Sequence, residues 1–253
     1  MEPLTADTLV LYIAGFCGLF LAGFVKGVIG MGLPLVALPV LAYMMPVPEA
    51  ITVLSLPVIF SNLVQAFQGG YFLGVIKRFW PVMLSLVVGV LLGVQLLVSL
   101  DPQLLYLLLG IAITGMALLT LSSPRFTLKP SQERPVGLAV CFGAGVLGGV
   151  SNLPGPPLAL YLVALRLEKT FFISAISIFF LINSAPLYAS LALHGILGWY
   201  ELLLSAFAVL PVFGGVFLGQ WVRRFVSQAR FQTVVLLVLV VIGLSFVWRA
   251  YSG

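Results

Sequence analysis

Lys26 is the one ionisable residue that sits clearly inside an apolar segment, in the run G-F-V-K-G-V-I-G-M-G-L-P-L-V-A-L-P from Gly23 to Pro39. An unpaired ammonium at the bilayer centre costs at least about 2.5–3.5 kcal/mol. No carboxylate falls within an apolar span to neutralise it. A bound anion would complete such a site, so the chemistry Lys26 suggests is recognition of negative charge. The competing reading is that the side chain snorkels along its arm to the cytoplasmic interface.

The residues around Lys26 extend that reading. Gly27, Gly30 and Gly32 let an anion approach the backbone, and Pro34 suits the first turn of a new helix. Helices starting near Leu33–Leu35 and near Pro156–Leu158 would aim free amides and positive dipole ends at a shared cavity. The same glycines also permit close helix packing. Asn62, Gln65, Ser151, Asn152 and Asn183 are uncharged donors in or beside the apolar spans, matched to the several acceptors of a small oxyanion. For Gln65 an ordinary interhelical hydrogen bond is the preferred account. The expected substrate-binding set is therefore Lys26, Gly27, Gly30, Gly32, Asn62, Ser151, Asn152 and Asn183.

Other reactive residue types point elsewhere. His194 lies at a span end beside Gly195, where an interfacial loop histidine explains it better than a proton relay. Cys17 and Cys141 have no CxxC spacing and no neighbouring histidine, and are expected as buried packing residues. No carboxylate pair, His/Cys cluster or Ser/His/Asp set occurs in the spans, so neither catalysis, a metal nor a cofactor is expected. A GxxxxGK[ST] loop is missing too, so energy would come from a gradient, with protons a candidate coupling ion, or from a partner.

The elements that must hold these residues are membrane helices. Of 253 residues, 62% are hydrophobic and 8% charged, with mean hydropathy +1.22. That composition places the chain in a lipid bilayer as an all-α polytopic protein. The formal charge of +5 resides in short loops between spans, which argues for topology and against nucleic acid. Apolar runs long enough to cross cover 50–67, 80–98, 104–121, 171–193, 200–221 and 231–248. Two further segments, 8–45 and 136–165, are interrupted near Gly27–Pro34 and near Gly148–Pro157. Each is expected to form a hairpin that enters and leaves on one side.

Loop charge selects that topology. With both broken segments as hairpins and the N-terminus outside, ten of the eleven basic residues other than Lys26 fall on the cytoplasmic side, and only Arg249 falls outside. If the broken segments crossed instead, the best division would be six to five. The acidic start M-E-P-L-T-A-D-T agrees with an external N-terminus.

The two halves also match. Gly27-V-I-Gly30 lies on Gly145-V-L-Gly148, Pro34-L-V-A-L on Pro156-P-L-A-L, and Asn62 on Asn183. Ala144 stands opposite Lys26. Each half, residues 1–121 and 136–253 about a cytoplasmic linker 122–135, has one hairpin and three crossings. That odd number inverts the second half relative to the first, as in many secondary transporters.

This doubled pattern, G-V-I-G-M-G-L-P-L-V-A-L-P and G-A-G-V-L-G-G-V-S-N-L-P-G-P-P-L-A-L-Y, resembles the sulfite exporter TauE/SafE family, the TSUP permeases, over essentially the whole chain. The resemblance implies a bacterial inner-membrane permease for sulfite, organosulfonates or related sulfur anions. From the residues themselves, a non-catalytic assembly subunit and a carrier of another small organic anion stay open.

Overall fold

The computed structural model describes residues 6–29, 32–67, 70–122, 127–223, 225 and 228–252. Among them all regular structure is helical: α1 (Ala6–Ile29), α2 (Leu33–Ala42), α3 (Val47–Val53), α4 (Ser55–Phe67), α5 (Phe72–Ser99), α6 (Pro102–Ser122), α7 (Pro130–Ser151), α8 (Gly155–Ala164), α9 (Lys169–Leu193), α10 (Trp199–Val222) and α11 (Gln228–Ser252). Five of these, α5, α6, α7, α9 and α10, are long and apolar enough to cross a membrane. This is an all-α, multi-pass membrane protein.

Both expected interruptions occur, each with a local cause. Gly32, at φ 97°, takes the left-handed conformation that an L side chain resists, and α2 begins directly after it with Pro34 in its first turn. Asn152, at φ 56°, ends α7 in the same region, with its N–H on the Gly148 carbonyl at 2.8 Å. Pro154, without an amide proton, then precedes α8. Gly30 and Met31, inside the first interruption, lie outside the described residues.

Each pair of arms runs antiparallel. Side-chain atoms of Met44 and Val40 lie where a Cβ on Gly15 or Gly18 would stand, so α2 doubles back along α1. In the second pair, the Tyr161 hydroxyl donates to the Glu133 carbonyl at 3.1 Å, and the Leu128 amide donates to the Ala164 carbonyl at 3.0 Å. The end of α8 therefore returns to the start of α7. The short arms, ten residues each, reach about 15 Å, half of a hydrocarbon core of about 30 Å. Neither can span alone.

Two expectations need correction. The run 50–67 is not one ordinary crossing: it divides into α3 and α4, bent by 44° about Leu54. Pro57 supplies the reason, since it has no N–H for the Val53 carbonyl four residues back and its ring crowds that group. Cys141 is buried, but Cys17 is exposed. Because α1 turns Gly15 and Gly18 toward α2, Cys17 is left on the outer face.

Close packing relies on facing glycine pairs. Gly23 and Gly27 of α1 meet α10, where a Cβ would strike the backbone of Val212, Val216 and Gly219. Gly89 and Gly93 of α5 meet Gly145 and Gly149 of α7 in the same way. These are G-x-x-x-G surfaces, whose missing side chains let two backbones approach. A third contact brings Gly110 of α6 against Gly243 of α11, and α4 packs on α9. An ion pair links α5 and α7 at one end: Arg78 Nε and Nη2 donate to the two Glu133 oxygens at 2.8 and 3.0 Å.

Candidate functional site

Lys26 lies three residues before the end of α1 and is only 5% exposed. Its ammonium donates to Ser61 Oγ at 2.9 Å and to Asn62 Oδ1 at 3.1 Å, both on α4. Those acceptors are oriented by one carbonyl. Ser61 Oγ and Asn62 Nδ2 both donate to Val58 O, at 3.2 and 2.9 Å. The lone pairs of the hydroxyl and the amide oxygen are thereby left for Lys26. Two of the three ammonium donors are occupied by neutral partners, and no carboxylate among the described residues pairs with the charge. The side chain is buried in the fold and does not snorkel.

Beside this cluster is a cavity of about 590 Å³ between the two broken segments. Its wall includes Gly32, Pro34 and Leu35 from the start of α2 and Asn152, Gly155 and Pro156 from the α7–α8 break. Val25 and Ile29, on either side of Lys26, line it as well, while Lys26 itself turns to α4. The rest is mostly aliphatic and aromatic, including Phe172 and Phe180, with Thr120, Thr127 and Arg166 as polar exceptions. The first turn of α2, the single amide that Gly155-Pro156-Pro157 leaves at the start of α8 and one guanidinium favour an anion, and the apolar walls favour an organic body on it.

The expected binding residues do not gather in one cluster. Lys26 and Asn62 are in direct contact, and Gly32 and Asn152 share the cavity wall. Asn152 also donates its Nδ2 to the Tyr188 hydroxyl at 3.1 Å. Asn183 lies against α7 at Gly148, its Oδ1 buried with no hydrogen-bond partner. Gly27 packs on α10 and is not on the cavity wall, and Ser151 is buried with its hydroxyl on the Leu147 carbonyl at 2.7 Å. Gly30 is outside the described residues.

Some polar residues were legible only afterwards. Ser61 is an equal partner of Lys26, and its signal was its place beside Asn62 as a polar pair in an apolar run. Arg166 and Tyr188 have no comparable sequence signal, since a loop arginine and a helical tyrosine are common. Gln65 accepts from Ser177 at 3.3 Å across the α4–α9 contact, which is the interhelical bond expected of it. His194 caps the end of α9, its Nδ1 lying 2.7 Å from the Ser190 carbonyl.

Two broken helical segments that meet at a cavity, with a buried cation beside it, match the arrangement found in membrane transporters of the broken-helix class. The chain belongs to the sulfite exporter TauE/SafE family, whose model matches residues 15–246. This family consists of membrane transporters of sulfur anions, not enzymes. No curated protein and no solved structure matches the chain.

Proposed function

We propose that the protein is a secondary transporter that moves a small sulfur-containing anion, such as sulfite or an organosulfonate, across the bacterial inner membrane by alternating access. The observation that carries this reading is Lys26: a buried ammonium held by neutral acceptors, one turn from a break that opens on a cavity. Lys26 supplies the positive charge, the amides in the first turn of α2 and the Gly155 amide at the start of α8 add to it, and Asn62, Asn152 and Asn183 supply hydrogen bonds. Gly27 seats α1 closely on α10. In the conformation described here Lys26 faces α4, and movement of α1 against α4 would bring it to the anion.

The halves 1–121 and 136–253, joined through 122–135, act as inverted repeats. Helix pairing supports this division: α1 of the first half packs on α10 of the second, α7 of the second on α5 of the first, and the third crossings α6 and α11 on each other. Asn62 meets α1 at Lys26 while Asn183 meets α7 at Gly148, so each matched asparagine faces the broken helix of its own half.

The test is uptake by vesicles containing only this protein, with sulfite, thiosulfate, sulfate and short sulfonates offered with and without a proton gradient. Saturable uptake of one sulfur anion supports the proposal, and acceleration by the gradient identifies protons as the coupling ion. Vesicles that accumulate none of the panel, from correctly folded protein, overturn it.

A further inference from the structure

A second cavity, of about 470 Å³, lies at the opposite end of α6 from the first. Tyr106 lines this one and Thr120 the other, fourteen residues apart (120−106), or about 21 Å along the helix. Its wall is built from the α2–α3 turn, the α5–α6 turn and the last turn of α11. Arg249 is the one charged residue in that wall among the described residues.

The arginine is held in an aromatic cage. Its guanidinium carbon lies 4.6 Å from the Tyr106 ring centroid and 5.3 Å from that of Tyr43, within the range of cation–π attraction. Both rings stack on the buried Phe246, at 5.8 and 5.0 Å between centroids. The Tyr43 hydroxyl lies 2.6 Å from Ser245 Oγ, and that hydroxyl donates to the Ile242 carbonyl at 2.7 Å. Ser245 thus has its proton committed, and Tyr43 is the donor to it. The cage is fixed by the protein's own bonds, yet no carboxylate among the described residues pairs with Arg249.

We propose that this cage is a second anion subsite, which receives or releases the transported anion at the membrane face opposite the break cavity. The ligand class is an oxyanion that a planar guanidinium can grip with two parallel donors, as a sulfonate permits. Met45, Val47, Leu97 and Leu105 make the remaining wall apolar, so a short alkylsulfonate fits better than a fully hydrated inorganic anion. The subsite's role in transport rests on the proposed function; its binding of an oxyanion does not. A lipid phosphate shares the same chemistry, and the test separates the two sources.

The experiment follows phenylglyoxal modification of Arg249, resolved by mass spectrometry, in the full-length protein reconstituted in phosphatidylcholine. Methanesulfonate should slow modification of Arg249 several-fold and saturably, against chloride at equal ionic strength, and leave exposed Arg223 unchanged. In transport, Arg249→Gln should raise the methanesulfonate concentration for half-maximal flux from the Arg249 face several-fold and leave the opposite face unaltered. Equal modification rates with and without methanesulfonate overturn the subsite. Protection by phosphatidylglycerol but not by methanesulfonate reassigns the cage to lipid and overturns it as well. If the parent protein carries no anion while methanesulfonate still protects Arg249, the transporter reading falls and the subsite stands.

Discussion

Lys26 of α1 and Asn62 of α4 are joined by a hydrogen bond of 3.1 Å from the lysine ammonium to the amide oxygen, and both residues are buried. A neutral amide solvates a cation without cancelling it. The charge is therefore left uncancelled, where a carboxylate partner would have neutralised it.

Asn62→Leu should destabilise the protein by about 1–3 kcal/mol, because it leaves a buried ammonium donor without its acceptor. In the Lys26→Met background the same change should cost much less, since there is no ammonium to abandon. A thermal-unfolding double-mutant cycle measures this coupling. Additive effects would mean that the 3.1 Å contact carries no net energy.

Asn183 should behave differently. Its buried Oδ1 has no partner, so Asn183→Leu relieves an unsatisfied group and should leave thermal stability equal or higher. Sulfite affinity should nonetheless fall several-fold if that oxygen's amide serves the anion. Unchanged affinity, measured by calorimetry on the folded variant, would assign Asn183 to packing against Gly148 alone.

The glycine seams make a stability prediction with an internal control. A Cβ at Gly93 would lie 2.9 Å from Gly149 Cα, with the Val146 carbonyl oxygen closer still. Gly93→Val should therefore cost about 1–3 kcal/mol or more, as overpacking against backbone does. Gly115→Ala and Gly143→Ala meet nothing within 4 Å and should match the parent or exceed it. Fluorescence-detected unfolding of the purified variants ranks them directly.

The hairpins predict sidedness. In a protein without its native cysteines, cysteines at Ser131 and Glu168, exposed positions at the start of α7 and after the end of α8, should react with an impermeant maleimide from the same side. A cysteine at Gln103, exposed at the start of α6, should react from the opposite side. Labelling of positions 131 and 168 from opposite sides would mean that the broken segment crosses.

Much of this architecture could be read from residue order because membrane burial penalises exceptions. Glycine, proline and a lysine inside apolar runs had to be sheltered, which located both breaks and the buried cation to within a few residues. The Leu54 bend was less legible. Pro57 looks like Pro81, Pro186 and Pro211, which sit inside unbroken helices, and only the surrounding packing decides which proline breaks its helix. Long-range partners were hidden for the same reason: nothing in the sequence links Arg249 to Tyr43, 206 residues away (249−43), until α2 and α11 meet at Phe246. Cys17 failed as a packing residue because an apolar neighbourhood in sequence does not distinguish the lipid-facing side of a helix from the core side.

The central claim is that Lys26 supplies the charge that selects an anion, and ligand-dependent thermal stabilisation of purified Lys26→Met beside the parent tests it most directly. Sulfite at about one hundred times its Kd should stabilise the parent by about 2.7 kcal/mol. The Met variant keeps much of the side-chain length, loses the desolvated charge, and should be at least as stable without ligand. With sulfite it should show no further stabilisation. If sulfite stabilises Lys26→Met as strongly as the parent at equal concentration, Lys26 is a structural residue and the anion is held without it.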